Sequence, residues 1–178
     1  MSAIEIMVKL KSSVGDVWRA WTDPEALTKW FSPHANIEAR LGGAYELFFD
    51  PNNHEHQCTR GCRITRFEPE ERLSFSWRGP DELHHVMDPC EPQTHVHVSL
   101  KERGAGTEVA IVHDGWGEGE DWKAAREWHQ RAWEQVACSL ERHFNEEEAR
   151  ARELSPSARR GFPGSASDSP RTPPPPPG

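Results

Sequence analysis

The 178-residue sequence has no long apolar run, a single tyrosine, only four cysteines and no excess of basic charge, and each shortage closes off a class of protein. The N-terminal stretch from Met1 to Ser13 is interrupted by Glu5 and Lys9, too short in its apolar part for a secretory signal or a membrane span. A cytoplasmic location and no membrane partner are therefore expected. Lysine and arginine number 21 against 29 aspartates and glutamates, a formal charge of −8. Residues from Asn145 onward carry five of each sign, so the whole acidic excess lies in the first 144 residues. A domain charged this way cannot neutralise a phosphate backbone, and no nucleic-acid partner is expected. Cys58, Cys62, Cys90 and Cys138 follow no export signal and read as free thiols. Cys58 and Cys62 are spaced by three residues and followed only by the isolated Cys90. That pattern fits no closed zinc site even with His54 and His56 nearby, so neither a metal nor another cofactor is expected. Also missing are a Gly-x-Ser-x-Gly elbow, a phosphate-cradling glycine loop and a His-Glu-x-x-His helix.

What is present is ordered along the chain. Ile4, Ile6, Val8 and Leu10 alternate with Glu5, Met7 and Lys9, the period of a strand with one buried face. Ser13 offers an N-cap to a short helix carrying Val14, Val17, Trp18 and Trp21, and Asp23-Pro24 opens a second whose stripe is Leu27, Trp30 and Phe31. Between His34 and His113 the pattern predicts six antiparallel strands: 35–40, 44–50, 59–67, 72–77, 94–101 and 107–113. Gly42-Gly43, Pro69-Glu70 and Gly104-Ala105-Gly106 stand at the turns. After Gly115-Trp116-Gly117, a stripe of Trp122, Ala125, His129, Ala132, Trp133, Val136, Leu140 and Phe144 predicts one long helix ending near Phe144. The chain thus divides into one α+β domain, 1–144, and a tail, 145–178, whose Ser, Pro and Arg content and final proline run predict disorder. About 144 residues suffice for a single core held by packing alone.

A strand, two short helices, a six-stranded meander and a long C-terminal helix is the order of the helix-grip architecture, a curved antiparallel sheet wrapped around the last helix. Val17-Trp18-Arg19-Ala20-Trp21-Thr22-Asp23-Pro24, Lys29-Trp30-Phe31, Gly42-Gly43-Ala44-Tyr45, Gly61-Cys62, Pro69-Glu70-Glu71-Arg72-Leu73 and Phe75-Ser76-Trp77 resemble the bacterial polyketide-cyclase and START-like (SRPBCC) superfamily. The segment ending in His113-Asp114-Gly115-Trp116-Gly117 resembles its branch named after the activator of the ninety-kilodalton heat-shock protein ATPase, in single-domain form. The resemblance spans about residues 3–144. It implies a cavity protein, but the fold hosts carriers, cyclases, sequestering proteins and co-chaperones, so it names no ligand.

The residues suggest where a cavity would lie. Eight tryptophans is a heavy load for a small domain; plain core packing accounts for any one of them, while together they suit an apolar pocket. Strand and helix phase bring Trp18, Trp30, Tyr45, Trp77, His113, Trp122, His129 and Trp133 toward one interior, between the long helix and the sheet. His113 and His129 are its polar candidates, whereas His95 and His97 fall on the outer face with Asp114, so no catalytic triad is read. The expectation is a monomer or weak homodimer that binds a small hydrophobic molecule, and more a binding protein than an enzyme. Proton-transfer chemistry of a cyclase- or hydrolase-like kind on the bound molecule is the second reading. A co-chaperone role ranks below both, because the chain begins directly with its first strand.

Overall fold

The structure, a computed structural model, describes residues 1–88, 90–91 and 94–155. Most of the predicted tail, 156–178, lies outside the described residues.

Among the described residues seven strands and three α-helices follow one another as β1 (Ile4–Leu10), α1 (Val14–Thr22), α2 (Pro24–Leu27), β2 (His34–Ile37), β3 (Tyr45–Phe48), β4 (Ile64–Glu68), β5 (Arg72–Trp77), β6 (Thr94–Arg103), β7 (Gly106–Asp114) and α3 (Glu120–Leu154), with a 3-10 turn at Asp81–Leu83. The first helices begin where their cap residues dictate. Ser13 Oγ accepts from the Asp16 amide at 3.1 Å, and Asp23 Oδ1 accepts from the Glu25 amide at 2.9 Å, with Pro24 in the first turn.

The main sheet is antiparallel in the order β1-β7-β6-β5-β4, and β2 and β3 form a separate pair. Backbone bonds bring that pair alongside the main sheet: the Tyr45 amide donates to the Cys62 carbonyl and the Thr59 amide to the Leu47 carbonyl, each at 2.9 Å. The meander predicted as continuous is therefore interrupted. Its strand expected over 59–67 is regular only from Ile64, because Thr59 to Cys62 forms a turn in which Gly61 adopts φ +85°. Gly43 has no freedom to be another residue, since a Cβ there would stand 2.1 Å from the Glu38 carbonyl oxygen.

The inner face of the sheet is apolar at every second position, Val96, Val98 and Leu100 on β6 against Val109 and Ile111 on β7, and α3 closes it with Ala125, Trp133, Leu140 and Phe144. The helix does not end near Phe144 but runs ten residues further, to Leu154. No side chain beyond Phe144 in the described residues is buried. That last stretch is held instead by helix-forming residues and i,i+4 pairs, Arg150 with Glu146 and Arg152 with Glu148, which a hydrophobic period cannot register. A chain ended after Glu148 is accordingly expected to melt within about 4 °C of the full chain in scanning calorimetry, a shift worth about 1 kcal/mol or less at this size. A larger drop would mean that the removed residues dock on the domain.

Candidate functional site

Between α3 and the loops that leave β3 and β5 lies a cavity of about 630 Å³. Its floor is Trp77, Trp133 and His129, one wall is Trp30 and Phe31 in the turn that follows α2, and Trp128 and Phe49 stand at its edge. Those two edge residues are large apolar side chains left 42% and 37% exposed. Trp30 and Phe31 stack with centroids 5.0 Å apart, and Phe31 lies parallel to Trp77 at 6.5 Å, so flat ring faces dominate the interior.

The rim is fixed by bonds between two loops. The His56 ring bonds Asp81 at 2.7 Å, and the Gln57 side-chain amide donates to Glu82 at 2.9 Å. The Trp30 indole donates to the Ala20 carbonyl at 3.0 Å and the Ser139 hydroxyl to the Trp30 carbonyl at 2.6 Å, fastening the turn after α2 to α1 and α3.

Of the eight residues that the sequence brings to one interior, four line this cavity: Trp30, Trp77, His129 and Trp133. The other four do not. Tyr45 is fully buried, stacked on Phe75 at 3.9 Å, with its hydroxyl donating to the Trp21 carbonyl at 2.9 Å. His113 is buried behind Trp133 and His129. Trp18 packs against Phe67 at 5.3 Å, and Trp122 against Trp116 at 6.4 Å. The space between sheet and helix at Tyr45 and His113 is filled by these rings, so the opening shifts to the ends of β3 and β5. Trp128, Phe49 and Arg78 are lining residues that sequence phase misses. Trp128 had a readable signal, an indole on the charged side of an amphipathic helix.

The two inward histidines are neutral by construction. His129 Nδ1 donates to the Ala125 carbonyl at 2.8 Å, and its Nε2 accepts from the Trp77 indole at 3.1 Å. Burial pushes its pKa down to about 4. His113 Nδ1 accepts from the Trp133 indole at 2.9 Å, and its Nε2 is buried with no hydrogen-bond partner among the described residues. Burial, then the neighbouring His129, hold its pKa well below the usual imidazole range. With both nitrogens of His129 engaged and its charged form disfavoured, it offers the cavity a polar edge and no base at neutral pH. The buried Cys62 thiol is pushed up to about 11, chiefly by desolvation, and is correspondingly inert.

On the opposite face, His97 bonds Ser74 through Nδ1 at 2.8 Å and Asp114 through Nε2 at 3.2 Å. These are the residue types of a hydrolytic triad. They lie on the pleated outer surface, with Ser74 4% exposed, and the nitrogens are used in the reverse of the order that triads show. The described residues contain no group of three His, Cys, Asp or Glu side chains placed to hold a metal ion, and no helix long and apolar enough to cross a membrane.

This arrangement of sheet and helices has relatives. The family model described as Activator of Hsp90 ATPase homolog 1-like protein matches residues 11–145. The chain belongs to this family. Among solved structures, the Aha1 dimer from Colwellia psychrerythraea shares 19% identity at a TM-score of 0.61, covering 81% of this chain and 96% of that one. CalU16 from Micromonospora echinospora shares 25% identity at a TM-score of 0.58, covering 83% and 79%. Protein MLL2253 from Mesorhizobium loti shares 19% at 0.61, covering 79% and 95%. No curated protein matches the chain. The Hsp90-activator-like family and the helix-grip fold are thus shown, and neither specifies a ligand.

Proposed function

We propose that this chain binds a small, largely apolar molecule in the cavity between α3 and the β3 and β5 loops. The observation that carries the reading is the cavity itself: about 630 Å³, walled by aromatic rings, with Trp128 and Phe49 exposed at its edge. Volumes of roughly 300–1,000 Å³ with apolar walls and few polar groups are typical of small-molecule sites. Burying about 200–300 Å² of ligand apolar surface at about 25 cal/mol per Å² contributes about 5–7 kcal/mol before the costs of association, which limits affinity to micromolar at best without hydrogen bonds. Binding is preferred over cyclase- or hydrolase-like turnover because His129, the histidine that touches the cavity, has both nitrogens occupied. A cytoplasmic, monomeric or weakly dimeric protein remains part of this reading, the dimer supported by the Colwellia relative's solution structure.

Phenylnaphthylamine, a neutral aromatic dye, is expected to brighten on binding and to quench tryptophan emission. Ala132 lines the cavity from α3, so Ala132→Trp fills it and should weaken the dye by at least about tenfold while the melting temperature holds. Unchanged dye affinity in a stably folded A132W would place the dye elsewhere and sink the proposal.

A further inference from the structure

Two charged residues, Arg78 and Asp50, stand in the wall of the aromatic cavity. Arg78 follows the last residue of β5 and lines the cavity within an acidic chain, yet no carboxylate of the described residues lies within 4 Å of its guanidinium. Its Nε lies 3.4 Å from His84 Nε2, and its two terminal nitrogens carry no hydrogen bond among the described residues. Other acidic groups nearby are already engaged: Asp81 holds His56 and the Gln57 amide, Glu82 holds the Gln57 side chain, and Asp50 caps the Asn52 amide at 2.8 Å. A guanidinium with both terminal nitrogens free among the described residues is the fork that takes a carboxylate or sulfonate side-on.

Resting on the cavity reading, the geometry points to an aromatic acid as the ligand class: a flat ring body among Trp30, Phe31, Trp77 and Trp133, with its anionic group on Arg78. Asp50 also faces the cavity and works against an anion, so the site discriminates only if Arg78 dominates. The ring faces contribute most of the affinity and the guanidinium sets the sign of charge that is accepted.

The test uses two dyes with one skeleton, anilinonaphthalene sulfonate and its uncharged parent phenylnaphthylamine, titrated into the full chain and into Arg78→Gln, Arg78→Lys and Ala132→Trp. Arg78→Gln should lose about tenfold in affinity for the sulfonate, the scale of one charge-assisted hydrogen bond, and keep the neutral dye within about twofold. Arg78→Lys, which retains charge without the planar fork, should fall between, and Ala132→Trp should exclude both dyes. The neutral dye reports on folding of each variant. Equal loss of both dyes in Arg78→Gln, or no loss of either, overturns the acid assignment and leaves the cavity reading standing. Failure of both dyes to bind the unmodified chain removes the cavity reading and this inference together.

Discussion

Trp133→Ala is expected to cost about 3–5 kcal/mol of unfolding free energy, close to the whole stability of a small domain. The indole is 2% exposed and sits where every part of the interior meets, 5.4 Å from Trp77, 5.8 Å from Phe31 and 6.0 Å from His113 between ring centroids. Two losses add. The first is transfer area together with the void left behind, which the surrounding rings cannot collapse to fill. The second is polar: the Trp133 indole is the hydrogen-bond partner of His113, whose other nitrogen already has none among the described residues. An imidazole with neither nitrogen satisfied costs about 1–3 kcal/mol on its own. Trp133→Phe separates the two, because it keeps most of the ring and removes only the N–H, so its cost should fall in that lower range. Urea titration with matched m-values measures both. If Trp133→Phe is as stable as the unsubstituted chain, the bond to His113 contributes nothing and the histidine is indifferent to its partner.

The parts of this molecule that depend on period and on caps can be read in the sequence, and the parts that depend on volume cannot. The alternation on β1, β6 and β7 survives intact in the pairing, with Ile4 opposite His113 and Val96 opposite it on the other side. Ser13, Asp23 and Pro24 begin helices where their side chains can satisfy orphan amides. The same alternation correctly turns His113 and Tyr45 away from solvent, but a phase gives a direction and says nothing of the space beyond it. Both side chains are wedged among other rings, at 3.9 Å for Tyr45 on Phe75 and 4.3 Å for His113 on Trp116, so they build the wall behind the cavity. Trp18 shows the reverse case. It shares a short helix with Trp21, yet the ~60° offset between positions three apart is enough to set it against Phe67 while Trp21 becomes fully buried against Trp30. The loops over 49–59 and 78–84 carry no period at all, and Arg78 and Phe49 owe their places to bonds such as Gln57 with Glu82 that join residues 25 apart.

Acid is expected to unfold this domain earlier than its carboxylates alone would. His129 has an ordinary imidazole value of 6.5 when the chain is unfolded and about 4 when it is buried, so between those values the unfolded chain holds a proton that the folded one refuses. Stability is complete above pH 6.5, falls as pH drops toward 4 and is flat below both, the sense in which a depressed pKa always acts. The full loss is about 3 kcal/mol at about 1.4 kcal/mol per pH unit. His113, buried more deeply and lowered for the same first reason, adds in the same direction. Asp81 and Glu82 also act in this sense, but these carboxyls, half-buried and exposed respectively, titrate at lower pH, below the window where the imidazoles dominate. His129→Gln isolates the buried ring, since an amide can accept from Trp77 and donate to the Ala125 carbonyl without titrating. Denaturant unfolding at pH 7, 5.5 and 4.5 should show the unsubstituted chain losing stability about twice as fast as His129→Gln across that interval, because His113 remains in both. Parallel curves would mean that His129 takes up its proton inside the fold at no cost, and that water reaches it through the cavity.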